Sequence, residues 1–317
     1  MKPVLFLTRR IPEPAIKMLE EKFTLKINPY NLALTHQEII EGIEDAEALI
    51  CLLTDNIDKE VISAAAKLKV ISSYAVGYNN IDVEYATQLG IAVCNTPGVL
   101  TETTADLTWA LILASCRRIS ESERFVRNGN FKGWEPILML GQDVYGKTLG
   151  IIGMGRIGQA VAKRATGFEM RIIYYNDISL SQTLAFEARE VTLKTLLQEA
   201  DIITLHLPLT KETFHLISKE EFALMKESAV LINTSRGAVI EEKELIKALK
   251  TKRIFAAGLD VYENEPDIPQ ELLALENVVL LPHIGSASIE TRTKMALLAA
   301  ENAIAVMEGK EPPAKVN

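Results

Sequence analysis

The sequence is most strongly constrained by a glycine-rich segment, G-x-G-x-x-G, formed by Gly153, Gly155 and Gly158. The segment follows a β-rich run, residues 148–152, and opens a stretch with helical character. In a dinucleotide-binding fold the first glycine permits a tight turn, the second lets the backbone approach a pyrophosphate, and the third lets the helix pack closely on the strand. The helix N-terminus then faces the anion. Because strand and helix are both in place, the segment predicts a dinucleotide site rather than an ordinary turn.

The end of the next predicted strand carries Asn176 and Asp177, 18 and 19 residues beyond Gly158. A carboxylate that binds the ribose belongs at about this distance, and its charge would repel a 2′-phosphate. Either residue could occupy the critical position, and a carboxylate there could also simply contact solvent. The pattern favours NAD as the cofactor, with NADP as the alternative.

Short β-rich runs alternate with amphipathic stretches along the chain, which indicates parallel strands joined by crossover helices. The sequence predicts helices at residues 59–67, 83–89, 101–115 and 289–307. It predicts strands at residues 4–8, 48–53, 70–74 and 91–95, and then at 148–152, 171–176, 202–207, 230–234, 256–261 and 278–281.

The chain has 317 residues, more than a single hydrophobic core usually supports, so two lobes are expected. Turn-forming residues at 95–98 break the alternating pattern and indicate a boundary. We therefore predict an α/β fold with two Rossmann-like domains, each a doubly wound parallel sheet. The first is a flavodoxin-like substrate-binding lid of residues 1–98 and 289–317, and the second is a dinucleotide-binding domain with a dimerisation arm, residues 99–288.

The charge balance limits the classes of partner. The formal charge is −8, from 34 Lys and Arg against 42 Asp and Glu, and no basic run could follow a phosphate backbone, so nucleic acid is not a predicted partner. The same charge repels small anions at long range. A site for an acidic substrate would therefore need its own cationic side chain.

The cysteines and the hydropathy pattern bear on the compartment. The number of cysteines is odd, and all three lie in apolar segments: Cys51, Cys94 and Cys116. This is typical of buried thiols in a reducing compartment. The apolar run at residues 4–7 is cut short by arginines, and no run approaches the length that spans a bilayer. We predict a cytoplasmic protein with no membrane partner and no metal.

Three predicted strand ends carry the residues from which catalysis could be built. Arg236 follows one strand, Glu263 and Glu265 follow the next, and His283 follows the last. Open α/β sheets bind ligands at the edge where their strands end. A 2-oxo acid needs a cation beside its carboxylate and carbonyl and a proton donor for its oxygen, and a nearby carboxylate keeps a histidine protonated. Spacing alone does not choose between the two glutamates.

The other histidines have ordinary structural interpretations. His36 begins a polar helix, His206 lies within a predicted strand, and His215 lies in a segment with surface or packing character. We therefore assign the predicted proton transfer to the remaining histidine at the strand end.

At these residues the sequence resembles the D-isomer-specific 2-hydroxyacid dehydrogenase family. Six motifs in chain order carry the resemblance, and they span nearly the whole chain. They lie at residues 76–82, 95–97, 153–158, 233–237, 260–266 and 282–286.

The resemblance implies hydride transfer between a nicotinamide and C2 of a small 2-oxo or 2-hydroxy acid. It implies that Arg236 binds the substrate, Glu265 orients the base, and His283 donates and accepts the proton. It assigns Val76 and Gly77 to a loop whose backbone N–H groups hold the substrate carboxylate. Pocket size is expected to depend on the side chains around Leu53, Val76 and Leu100.

The same resemblance implies a set of cofactor contacts, with Asp260 expected near the nicotinamide carboxamide. For Thr104 and Pro208, simple capping or turn geometry is nearly as good an explanation. The predicted cofactor contacts are Thr104, Gly153, Gly155, Arg156, Ile157, Gly158, Asn176, Asp177, Pro208, Thr234, Ser235, Asp260, His283 and Gly285.

Within the family, residues 8–14 and 143–148 look most like those of glyoxylate and hydroxypyruvate reductases. D-Lactate and 3-phosphoglycerate dehydrogenases are the alternatives. NADPH-dependent reductases of this branch tend to carry Ser-Arg-Thr where this chain has Asn176, Asp177 and Ile178, which weakens an inference to NADPH. Val76 argues against phosphite dehydrogenases, which use a lysine at that position.

Two further classes of protein share this fold. A dinucleotide-sensing corepressor of the same fold would be marked by long partner-binding tails, which the sequence does not predict. A formate-oxidising enzyme would carry Gln in place of Glu265. By resemblance we also expect a homodimer, formed through the apolar helix at residues 101–115 and an arm that bears Phe125, Phe131 and Trp134.

Overall fold

The computed structural model describes residues 2–177 and 184–317. The described residues form two compact units. The first, unit 1, contains the chain up to Leu100 together with Ser286–Asn317, and the second, unit 2, contains Thr101–Gly285.

Strands and helices alternate through most of the described chain. The strands are β1 (Val4–Leu7), β2 (Thr24–Ile27), β3 (Ala48–Cys51), β4 (Val70–Ser73), β5 (Ala92–Cys94), β6 (Thr148–Ile152), β7 (Arg171–Tyr175), β8 (Arg189–Glu190), β9 (Ile202–Leu205), β10 (Val230–Asn233), β11 (Ala256–Leu259) and β12 (Val278–Leu280). The α-helices are α1 (Glu13–Lys22), α2 (His36–Ile43), α3 (Lys59–Ala64), α4 (Val83–Gln88), α5 (Thr101–Cys116), α6 (Ile119–Arg127), α7 (Arg156–Ala165), α8 (Leu193–Glu199), α9 (Lys219–Leu224), α10 (Glu242–Lys250), α11 (Gln270–Leu273) and α12 (Ile289–Met307).

Unit 1 is built on a parallel sheet with the strand order β2-β1-β3-β4-β5, which is the flavodoxin-like order. Its edge strand β2 was not predicted, because its sequence Thr-Leu-Lys-Ile leaves alternate residues exposed and lacks a continuous apolar run. Helix α12 belongs to this unit, since Ser72 Oγ donates a hydrogen bond to the carbonyl of Ala299 at 2.9 Å.

Unit 2 is built on a parallel sheet with the strand order β12-β11-β10-β9-β6-β7-β8. All six predicted strands are present, and the described residues add the two-residue strand β8, whose residues are both exposed. The order reverses between β6 and β9, and the glycine segment follows β6 at this switch point. The prediction of an α/β fold with two doubly wound parallel sheets is confirmed.

Helix α5 is the main apolar helix of unit 2. It begins at Thr101, the position at which the sequence predicts its start. Half of its residues are buried, because the helix packs on α7 and against β10 and β11 within its own unit. No helix in the described part of the chain is long and apolar enough to cross a membrane.

Candidate active site

The glycine segment forms a close turn between β6 and α7. Gly153 has φ +97°, and a Cβ there would lie 2.7 Å from the carbonyl oxygen of His206. A Cβ at Gly158 would lie 2.2 Å from the carbonyl oxygen of Gly153, so neither position accepts a side chain. Among the residues that the structure describes, a Cβ at Gly155 would meet no atom within 4 Å, and no side chain caps the helix that begins at Arg156. An uncapped helix N-terminus under open space fits a pyrophosphate.

The end of β7 supports this turn. The backbone N–H of Met154 donates to Asn176 Oδ1 at 2.6 Å, and that of Gly153 donates to the carbonyl of Tyr175 at 2.9 Å. Asn176 therefore holds the glycine segment, and Asp177, which is exposed, stays the predicted ribose carboxylate. Ile178, which follows Asn176 and Asp177 where NADPH-dependent reductases tend to carry Ser-Arg-Thr, lies outside the described residues.

His283 and Glu265 form a hydrogen-bonded pair. His283 Nδ1 lies 2.7 Å from Glu265 Oε2, and Glu265 Oε1 accepts the backbone N–H of Tyr262 at 3.0 Å. Burial acts to raise the pKa of Glu265, but the hydrogen bond and charge of His283, the Tyr262 N–H and the charge of Arg236 together lower it. The carboxylate is therefore charged at neutral pH, and ring nitrogen Nε2 of His283 is left for a substrate.

Arg236 lies in a turn that the hydrogen bonds of Asn233 hold in place. The buried Asn233 accepts hydrogen bonds from the N–H and Oγ of Ser235 at 3.0 and 2.8 Å, and donates from Nδ2 to the carbonyl of Arg236 at 2.9 Å. Burial lowers the pKa of Arg236, although the charge of Glu265 opposes this. A guanidinium remains protonated at neutral pH despite such a shift. Arg236 is therefore a cation of the kind that the sequence predicts for an acidic substrate, and its role in substrate binding stays a prediction.

Asp260 fixes the loop that carries His283. Its carboxylate oxygens accept the backbone N–H groups of Ile284 and Gly285, each at 2.7 Å. Burial raises the pKa of Asp260 above its ordinary value, although the two N–H groups and the charge of His283 oppose this. Asp260, which was predicted only as a cofactor contact, thus also determines where His283 lies. The backbone of His283 has φ +54°.

Other predicted cofactor residues gather beside this loop. Thr104 lies close to Gly285, because its Oγ1 would be 3.6 Å from a Cβ placed on that glycine. Thr108 Oγ1 lies 3.0 Å from Thr234 Oγ1. The carbonyl of Pro208, which follows β9, accepts a hydrogen bond from Thr213 Oγ1 at 2.7 Å. This contact fits the turn geometry that the sequence also allowed for Pro208, and its cofactor contact stays a prediction.

The structure distinguishes the two glutamates that spacing left open. Glu265 pairs with His283, whereas Glu263 Oε1 lies 2.9 Å from Nε2 of His215. Sequence reasoning assigned His215 only to surface or packing and gave Asn233 no role of its own. The signal for Asn233 was its place in the motif at residues 233–237, whereas the partner of His215 is 48 positions away and has no local signal.

The predicted substrate residues of unit 1 follow the carboxyl ends of its strands. Leu53 lies after β3, Val76 and Gly77 lie after β4, and Leu100 lies after β5; all four are partly buried. The carbonyl of Val76 accepts a hydrogen bond from Asn95 Nδ2 at 2.8 Å, which fixes the loop. The roles of these residues in substrate binding stay predictions.

Comparisons with known proteins agree on a family. Residues 109–285 match the model for the NAD binding domain of D-isomer specific 2-hydroxyacid dehydrogenases. A glyoxylate reductase from Korarchaeum cryptofilum is 53% identical over 322 residues, which cover 100% of this chain and 96% of that protein.

Solved structures agree as well. The TT0316 protein from Thermus thermophilus has a TM-score of 0.93 and 46% identity, with 99% of this chain and 100% of that chain covered. An NADPH-dependent glyoxylate/hydroxypyruvate reductase from Sinorhizobium meliloti, in complex with NADP and malonate, has a TM-score of 0.90 and 29% identity, with 100% of this chain and 97% of that chain covered.

Proposed function

The chain belongs to the D-isomer specific 2-hydroxyacid dehydrogenase family, and from that premise we propose that it reduces glyoxylate or hydroxypyruvate to the corresponding D-2-hydroxy acid. It is an NAD(P)-dependent oxidoreductase. The assignment to glyoxylate and hydroxypyruvate is supported by relatives that are named for these substrates and that match over nearly their whole length.

The observation that carries the proposal is the pair formed by His283 and Glu265, in the same unit as Arg236, with each residue just beyond a strand end. A protonated His283, with Nδ1 bonded to Glu265, can donate the proton on Nε2 to a carbonyl oxygen. Arg236 can bind the substrate carboxylate and stabilise the charge that develops on that oxygen. The residues therefore suit a carbonyl next to a carboxylate.

The glycine segment, Asn176 and the N-terminus of α7 would hold the cofactor. When bound, a nicotinamide supplies or takes up the hydride. His283 supplies the proton in the reductive direction and accepts it in the oxidative direction. Asp260 holds the His283 loop in both directions through the two backbone N–H groups.

We propose NAD as the preferred form of the cofactor, with NADP as the alternative. The carboxylate of Asp177 lies at the end of β7, where it would repel a 2′-phosphate. The contact between Asn176 and Met154 supports Asp177, and not Asn176, as the residue that meets the ribose.

A substrate panel tests the function. NADH absorbance is followed with glyoxylate, hydroxypyruvate, pyruvate and 3-phosphohydroxypyruvate at neutral pH, and we expect the first two to have the highest kcat/KM. The reverse reaction is then run with D-glycerate and L-glycerate, and only the D-isomer should react. A clear preference for pyruvate would indicate a D-lactate dehydrogenase, and one for the phosphorylated acid a 3-phosphoglycerate dehydrogenase. Binding of NADH without turnover of any acid would favour a sensing role.

We further propose that the protein is a cytoplasmic homodimer. The support for the compartment is that Cys51, Cys94 and Cys116 are buried, free thiols. The support for the dimer lies in the segment after α5, where Phe131, Trp134 and neighbouring apolar side chains are exposed.

A further inference from the structure

A second histidine–carboxylate pair lies in unit 2, and the mechanism above does not use it. His215 Nε2 is 2.9 Å from Glu263 Oε1, and Glu263 Oε2 accepts the backbone N–H of Glu242 at 3.1 Å. The side chains of His215 and Glu263 are 28% and 23% exposed, so solvent screens this pair less than a surface pair. Glu263 lies only two positions before Glu265.

His215 contacts two loops at once. Its backbone N–H donates to the carbonyl of Ala238 at 2.8 Å, in the 3₁₀ turn Gly237–Val239 that directly follows Arg236. Its side chain binds the segment that leads into Glu265. One residue therefore ties the loop of the predicted substrate-binding arginine to the segment of the base-orienting glutamate.

The two loops also touch through their backbones. A Cβ placed on Gly237 would lie 1.8 Å from the carbonyl carbon of Tyr262, so glycine alone permits this approach. Tyr262 in turn donates its N–H to Glu265. Because the contact is backbone to backbone, a small shift of one loop must displace the other.

The backbone of His215 is held in an unfavourable conformation. Its φ is +51°, a region that non-glycine residues seldom adopt. The ring stacks on Phe214, with the ring centroids 3.9 Å apart. Residues kept in such conformations cluster at functional sites, where the surrounding contacts fix them.

We propose that His215, through Glu263, is a positioning residue for the hydride-transfer reaction: it sets the spacing between Arg236 and Glu265. The inference rests on the proposed function. Arg236 and Glu265 stand on different strand ends, and the reaction needs the cation and the His283–Glu265 pair at a fixed separation around one substrate. The groups that face His215 and Glu263 include the backbone of Ala238, the ring of Phe214, and the backbone N–H and carboxylate of Glu242.

The test is steady-state glyoxylate reduction by His215→Ala, His215→Gln and Glu263→Ala. We expect His215→Ala to lower kcat/KM for glyoxylate by about 10-fold to 100-fold, the size of loss that follows a displacement of about 1 Å in a reacting group. The dissociation constant for NADH, measured by fluorescence, should stay within about twofold, because the glycine segment is untouched. His215→Gln keeps a side-chain N–H for Glu263 and should recover most of the rate.

A double-mutant cycle separates positioning from simple stabilisation. If His215 acts through Glu265, His215→Ala should cost less in a Glu265→Gln background than in the wild type. The matched control is His36→Ala, which removes a pair of the same 2.9 Å length with Asp58 on unit 1 and should leave kcat unchanged. Glu263→Ala removes the same contact from the other side and should give the same loss, which keeps the test decisive if His215→Ala does not fold.

The outcomes separate this inference from the proposed function. Each of three results would overturn the positioning role. These are a wild-type kcat/KM in His215→Ala or Glu263→Ala, a fully additive double-mutant cycle, and a lower melting temperature with unchanged kcat. Absence of turnover by the wild type with every acid of the panel would instead overturn the proposed function.

Discussion

The charge on Glu265 is the side-chain property on which the direction of proton transfer depends. Its pKa lies below the ordinary value of 4.5, so the carboxylate is ionised through the neutral range and favours the protonated form of His283. Reduction needs His283 protonated and oxidation needs it neutral. At saturating cofactor, reduction should therefore decline as the pH rises, whereas oxidation of the hydroxy acid should increase.

Glu265→Gln tests this pairing. The substitution removes the negative charge but keeps the size and a hydrogen-bonding group, so the decline of reduction should move to lower pH. At pH values below this decline the variant should remain active, because Glu265 itself transfers no proton. His283→Ala is the reference and should be inactive at every pH, and superimposable pH profiles of wild type and Glu265→Gln would contradict the pairing.

Arg236 is the second side chain whose chemistry can be tested alone. Arg236→Ala should lower kcat by about 100-fold to 1,000-fold and raise the KM for glyoxylate, because a preorganised cation at the developing charge is lost. Binding of NADH should survive. Arg236→Lys should recover little, since a point charge cannot reproduce the planar fork that grips a carboxylate.

The control for this experiment is Arg189→Ala, which removes an exposed arginine of the same unit that pairs with Glu199 at 2.6 Å. It should leave kcat and KM at wild-type values. Normal turnover in Arg236→Ala would remove the substrate-binding role from this residue.

At the scale of elements, the turn between β6 and α7 and the end of β7 act together on the cofactor. Asp177→Arg removes a charge that repels a 2′-phosphate and adds one that binds it, and a charge-assisted hydrogen bond contributes about 1.5–3 kcal/mol. We expect the ratio of kcat/KM for NADPH to that for NADH to rise by about tenfold or more. Asn176→Ala should instead weaken both cofactors, because it removes the acceptor for the N–H of Met154.

Glu187→Arg serves as the control for Asp177→Arg, since it reverses an exposed charge elsewhere in the same unit. Its cofactor ratio should match that of the wild type. A wild-type protein that already prefers NADPH in the matched comparison would show that the carboxylate of Asp177 does not set the choice.

Sequence patterns predicted the strands that form apolar runs, including the short edge strands β5 and β12, and missed β2 and β8. The buried strands β6, β9 and β10 consist of apolar runs, whereas β2 and β8 expose their residues and leave no such run. The same limit applies to the site. Arg236 and His283 could be singled out because they lie shortly after the ends of β10 and β12, whereas the choice of Glu265 over Glu263 came from the family resemblance. A contact such as that of His215 with Glu263 forms only when loops far apart in sequence meet.

For the whole molecule, the property to test is whether two copies of the chain assemble into a dimer. Half of α5 is buried within its own unit, so it offers less surface to a partner than its sequence suggests. The exposed apolar side chains lie further on and include Phe131, Trp134, Ile137 and Leu140, of which Trp134 is 83% exposed. Large exposed apolar patches often mark interaction surfaces, so these side chains support the proposed dimer.

We expect sedimentation at micromolar concentration to give twice the chain mass of 35.1 kDa. Trp134→Ala should raise the dissociation constant of the dimer by about 30-fold, because truncation of a central interface tryptophan costs at least about 2 kcal/mol. Leu32→Ala is the matched control, since Leu32 is 72% exposed on unit 1, outside the segment, and should leave the mass unchanged. A wild-type monomer under these conditions would show that the exposed segment does not join two copies of the chain, and an equal loss of dimer in both variants would show that the effect is not specific to Trp134.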